Sequence, residues 1–161
     1  MNPLRLVYAA LWTMLEAHAP LTALVKYRNR IKYTGTALAP EKDTLSNADT
    51  PELVVVAAGF RPHLQQTSSS SSITIRWEIH VTSGDQRFET LLNVEWEVYR
   101  AMRDWEATLS TLTFAGKRFV TLSRPLTART RLDDRKLNRG IKGWTTVWAC
   151  ETRLDFTTSD L

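Results

Sequence analysis

A chain of 161 residues, 43% apolar and 24% charged, is long enough to bury the core of one domain, and it holds no run of eighteen apolar residues that would cross a bilayer. Its single cysteine, Cys150, excludes an intrachain disulfide and with it a disulfide-stapled scaffold, which suits a reducing cytoplasm. The formal charge of +4 is uneven: residues 117–142 carry nine Lys/Arg against Asp133 and Asp134, a balance of +7 that leaves −3 for the remainder.

At the N-terminus, Leu4, Val7, Tyr8, Leu11, Met14 and Leu15 recur at threes and fours. That spacing predicts a helix from Pro3 to about Ala19 that stops at Pro20. Arg5, the stretch Leu6 to Leu15 and Ala17-His18-Ala19 imitate a secretion signal. Glu16 and His18 fall where such a signal is neutral, and Asn2-Pro3 reads as a helix cap, so a packed helix is expected. Leu21 to Val25 adds a helical turn, and Arg28-Asn29-Arg30-Ile31-Lys32-Tyr33 reads as a short charged edge strand. Residues 34–51, with Gly35, Pro40, Asn47, Asp49 and Pro51, keep no period and read as a long loop. Leu53 to Phe60 is β-branched and predicts a buried strand, interrupted by Arg61-Pro62-His63. The polar run Thr67 to Ser72 reads as a hairpin tip.

The centre of the chain carries the strongest pattern. Ile73, Ile75, Trp77, Ile79 and Val81 alternate with Thr74, Arg76, Glu78, His80 and Thr82, the mark of a strand wet on one face. After Ser83-Gly84-Asp85 the period changes, and Phe88, Leu91, Leu92, Val98, Tyr99, Met102, Trp105 and Leu109 predict one long amphipathic helix capped by Asp85. Phe114-Ala115-Gly116 closes it. Arg118 to Leu122 predicts a strand with Val120 and Leu122 inward, and Pro125 ends it or marks an edge. Residues 124–143 hold neither period and read as a basic loop or arm. Trp144 to Phe156 alternates again, with Trp144, Trp148, Cys150, Leu154 and Phe156 on one face and Thr145, Glu151, Arg153 and Asp155 on the other. The expected fold is α+β: an antiparallel or mixed sheet of about four or five strands with two helices packed on one face, in one domain over residues 1–161.

No catalytic, cofactor or metal constellation is expected. His18, His63 and His80 stand in three different elements, and Cys150 lies on the apolar side of a strand. The serine run lacks the Gly-x-Ser-x-Gly elbow, the glycines are isolated, and Asp133-Asp134 and Glu95/Glu97 are spaced so that their carboxylates do not converge. Five tryptophans, Trp12, Trp77, Trp105, Trp144 and Trp148, fall on core positions. Trp96 falls at the edge of its helix's apolar face, where it is either a spare core aromatic or a subunit contact. The basic segment, with Arg124, Arg129, Arg131, Arg135, Lys136, Arg139 and Lys142, carries too much charge to bury unpaired. It must face water, a partner's carboxylates or phosphate.

The order of elements and several local strings resemble the tail-terminator, or tail-completion, proteins of long-tailed bacteriophages. The carrying features are the Leu4 to Leu15 helix followed by Val25-Lys26-Tyr27-Arg28-Asn29-Arg30-Ile31-Lys32-Tyr33, the stretch Lys42-Asp43 to Val55 leading into a strand, the strand-then-helix centre and the long final strand. The resemblance implies a structural virion protein of the neck, not an enzyme. Such a protein is assembled in the host cytoplasm into a ring, usually a hexamer, that caps the tail tube and joins it to the head connector or stopper protein. It also implies polar loops, here residues 34–50 and 67–72, at the ring's faces or perimeter. Asp133 and Asp134 in the middle of the basic segment would repel phosphate, which favours a subunit or neck contact there over genomic DNA in the lumen. Two alternatives stay open: a head-completion or stopper protein of the same neck, and a small basic nucleic-acid-binding module.

Overall fold

In the computed structural model, residues 3–31, 44–45, 50–64, 70–83, 88–137 and 142–157 are described. The central alternation becomes β4 (Ser70–Ser83). Its Ile75, Trp77, Ile79 and Val81 are buried, while Arg76 on the other face is exposed. On one side it pairs antiparallel with β3 (Glu52–Leu64), on the other with β7 (Lys142–Thr157), and β7 pairs in turn with β6 (Lys117–Leu137). Two-residue strands extend the edges in parallel: β1 (Arg30–Ile31) on β3 and β2 (Thr44–Leu45) on β6. The resulting order is β1-β3-β4-β7-β6-β2, and β5 (Thr113–Phe114) forms a hairpin with the start of β6. The fold is α+β, with a mixed sheet whose four long strands pair antiparallel with one another.

Each of the two predicted helices is divided. The first ends at Ala17 (α1, Pro3–Ala17), and α2 (Ala19–Leu24) begins immediately after His18. Pro20 therefore opens the second helix instead of terminating the first, because a missing N–H costs nothing in a helix's first turn. The long central helix breaks into α3 (Phe88–Ala101) and α4 (Trp105–Thr111). At the break, the Arg103 and Trp105 amides donate three residues back, to Arg100 and Met102. Val98, Met102, Trp105 and Leu109 are all buried on both sides of it, so their unbroken spacing at threes and fours gave no sign of the bend. Asp85, the expected cap, lies outside the described residues.

Helices α1, α3 and α4 contact β3, β4, β7 and β6, and one core fills the space between layers. Val7, Leu11, Leu15, Leu21, Leu53, Val55, Leu91, Val94, Val98 and Leu154 are buried in it, each stabilising the fold by about 1.5–3 kcal/mol relative to exposure. Two threonines share this apolar layer. Thr146 and Thr152 are fully buried on the core face of β7, and Thr152 Oγ1 accepts a 2.9 Å hydrogen bond from Trp77 Nε1. A buried indole N–H and a buried hydroxyl thereby satisfy one another.

Several strand expectations need correction. β3 runs through Arg61-Pro62-His63 to Leu64, with a bulge between Ala57 and Gly59, because at Pro62 it pairs only with β4 among the described residues and an edge tolerates a missing donor. The last three residues of the serine run belong to β4 and Ser72 is buried, whereas Thr67 to Ser69 lie outside the described residues. Thr44–Leu45 interrupts the predicted long loop with a strand; its other residues between 34 and 49 lie outside the described set. The hairpin from β5 to β6 turns through Ala115 and Gly116, both at positive φ (49° and 75°), the backbone of a tight two-residue turn. On β6 Phe119 is buried opposite Leu154, whereas the side chains of Val120 and Leu122, expected inward, lie outside the described set.

The largest correction concerns the basic segment. Arg124, Arg129, Arg131, Asp133, Asp134, Arg135 and Lys136 lie within β6, and Lys142 opens β7; only residues 138–141, with Arg139, fall outside the described set. It is a strand with register shifts between Ser123 and Thr127 and between Leu132 and Lys136. Those extra residues break the alternation that would have revealed it, and Pro125 sits in the first of them.

Candidate functional site

Helix α3 carries two stripes. Leu91, Val94, Val98 and, just beyond the helix, Met102 form the buried one. Leu92, Trp96 and Tyr99, offset by one residue, form a second that the sheet does not cover, with Leu92 47% and Trp96 59% exposed. Trp96 stacks on Tyr99, ring centroids 5.6 Å apart and planes at 24°, and Tyr99 leans on Trp148 of β7 at 6.2 Å. Together with Glu95 these residues line an open groove of about 350 Å³. Trp148, expected at a core position, packs partly buried against the core and also lines this groove. Trp96, read as standing at the edge of its helix's apolar face, is exposed.

Polar contacts fix α3 on both flanks. On the groove side the Thr146 hydroxyl donates to Glu95 Oε1, tying the helix to β7. On the opposite flank Glu97 Oε2 meets His18 Nε2 at 2.6 Å, and Arg100 Nη1 donates to the same carboxylate at 3.2 Å. The His18 hydrogen bond holds the Glu97 carboxyl below its ordinary value of 4.5; partial burial opposes this, and Arg100 adds to it. A carboxylate with a depressed folded-state pKa contributes stability that is complete above 4.5 and is lost as pH falls through the lowered value. Thermal melts taken from neutral pH down into the carboxylate range should therefore show an acid-side loss that Glu97→Gln diminishes. Superimposable pH profiles for the two proteins would count against this.

A second exposed apolar feature stands beyond that flank, and the sequence reading missed it. Leu24, at the end of α2, is 38% exposed, and Tyr27, in the 3-10 turn Tyr27–Asn29, is 75% exposed. Arg30 holds both in place. Its guanidinium donates to the carbonyls of Val25 and Thr22 at 3.0 Å each, approaches Glu16 at 3.7 Å, and lies 5.8 Å from the Tyr27 ring centroid. A cation that satisfies the last carbonyls of a helix and supports an aromatic face leaves Tyr27 ordered but outward. The only sequence signal was an aromatic set between Lys26 and Arg28.

The sheet face away from the helices is polar. Glu78 accepts from Arg76 at 3.2 Å and pairs with His80 at 2.9 Å, and Arg153 pairs with Asp155 at 3.1 Å. At one end Thr82 and Thr145 are buried and share a 2.9 Å hydrogen bond. Register places Arg129 opposite Val147 and Arg131 opposite Thr145 on β7. Of the two sequence-predicted site sets, Trp96 lines the groove on α3, whereas the side chains of the basic set lie outside the described residues. Cys150 is buried, and burial, with a smaller push from Glu151, raises its thiol to about 12, which removes it as a nucleophile at neutral pH. Among the described residues no group of three His, Cys, Asp or Glu is placed to hold a metal ion.

No protein-family model matches this chain, and no curated protein matches it. Among solved structures the chain is similar to one in the virion of a native gene transfer agent (GTA) particle, with a TM-score of 0.58 over 91% of this chain and 92% of that one. The two chains share a fold. Their sequence identity is 16%, so the likeness is one of architecture over nearly the whole of both chains and carries no residue-level correspondence.

Proposed function

We propose that this protein is a structural component of a virion, a ring-forming neck protein that caps the tail tube and joins the tail to the head connector. The observation that carries this reading is the match along nearly the full length of both chains to a chain of a virion particle. The aromatic groove on α3 supports it, since stacked Trp and Tyr on a surface are the anchors that protein contacts use and a core has no need of them. The described residues offer self-paired charges on the open sheet face and a buried, unreactive thiol, which suits a scaffold better than a catalyst. Deleting the gene should leave filled heads beside overlong or unjoined tails in electron micrographs of the lysate. Normal joined particles from the deletion would remove the reading, and tails of normal length on leaking heads would move the protein to the head side of the joint.

A further inference from the structure

The two exposed apolar features lie on opposite flanks of α3. Glu95, on the groove side, is bonded to β7, and Glu97, two residues on, is bonded to His18 at the start of α2. The groove of Leu92, Trp96, Tyr99 and Trp148 thus looks toward the β7 side of the helical layer. The ridge of Leu24 and Tyr27 stands on the β1 side, next to Arg30 and the edge strand. From these placements we infer that the groove's occupant is the Leu24–Tyr27 ridge of a second copy of this chain, in a head-to-tail contact. The inference rests on the ring reading above and adds to it the two surfaces that would make the ring.

Three observations select this occupant. A closed ring of identical subunits needs two different patches on each, facing different ways, and the described residues provide two that do. Their charges are complementary: Glu89 and Glu95 stand on the groove side of α3, whereas Lys26 and Arg28 flank the exposed Tyr27 in the chain and Arg30 lies against its ring. The shapes also match in kind. The groove is an open aromatic slot of about 350 Å³, and the ridge offers one tyrosine fixed from beneath by Arg30, so little ordering is required when it docks.

The test replaces the gene by one encoding Leu24→Cys and Leu92→Cys in a Cys150→Ala background, and the purified particles are then oxidised. Both introduced cysteines replace exposed side chains and leave Tyr27 and Trp96 in place. The expected result is a ladder of disulfide-linked multimers of this chain ending at one fixed size, with only monomers from particles carrying either surface cysteine alone. Dimers from a single-cysteine variant would overturn the inference by showing like meeting like across a two-fold axis. Monomers throughout, from particles that still hold the chain as a multi-copy ring, would overturn these surfaces and leave the ring intact. A chain absent from particles or present in one copy would overturn the ring itself. The same readings apply to the concentrated purified protein where a variant yields no particles.

Discussion

Alanine in place of Trp77 will lower the unfolding free energy by about 3–5 kcal/mol, enough to take most of the stability of a domain that has roughly 5–15 kcal/mol in all. Trp77 is 2% exposed, lies in the middle of β4, meets the Tyr8 ring of α1 at 6.5 Å and gives its indole N–H to Thr152. Truncation opens a cavity between the layers and strands a buried hydroxyl. Phenylalanine refills most of the volume but not the hydrogen bond, and should cost about 1–2 kcal/mol. Urea titrations will read both as lower midpoints at an unchanged slope. A Trp77→Ala protein whose midpoint moves by less than the Phe variant's would show that the ring is not the keystone of this core.

The second large effect is expected at Arg30, whose side chain is 12% exposed and serves two backbone carbonyls and a carboxylate at once. Replacing it by methionine keeps the stem and removes the fork, leaving the Thr22 and Val25 carbonyls without their donor. The loss should be about 2–4 kcal/mol, since hydrogen bonds from a charged donor to part-buried acceptors lie at the upper end of the usual range. Lysine should recover only part of this, because one ammonium cannot reach both carbonyls in the geometry of a planar guanidinium. The same substitution frees Tyr27, so assembly should weaken more than stability alone accounts for. Calorimetry of Arg30→Met and Arg30→Lys tests the ranking, and equal melting of both variants and the parent would refute it.

Sequence pattern made the architecture legible where one face of an element is wet. The alternation from Ile73 to Val81 and the three-and-four spacing of α1 both turned into buried stripes as read. Thr146 and Thr152 keep the inward phase of Trp148, Cys150 and Leu154, and hydrogen bonds to Glu95 and from Trp77 satisfy their buried hydroxyls. The pattern failed where a local feature conceals the period. Pro62 looked like an interruption and Pro125 like a strand end or an edge; both lie inside strands, Pro62 where β3 pairs only with β4 among the described residues and Pro125 in an irregular register of β6. At the surface, Trp96 could be singled out from its angular position alone. Tyr27 could not, since its exposure follows from a tertiary device, Arg30 folding back over two carbonyls. Nor could the part Trp148 plays in the groove, since it follows from Tyr99 of α3 lying against its ring.

The hydrogen bond between His18 and Glu97 reaches beyond the stability of the acid limb. It ties the start of α2 to the flank of α3 at 2.6 Å, and so links the segment that leads to Leu24 and Tyr27 with the helix that carries the aromatic groove. In a head-to-tail ring the angle between a subunit's two contact faces determines how many subunits complete a circle. In the ring proposed above, a clamp that fixes that angle would act as a counting device. Loosening it need not prevent neighbours from meeting; it would let circles close at more than one copy number, and a tube end of set diameter would then find fewer lids that fit.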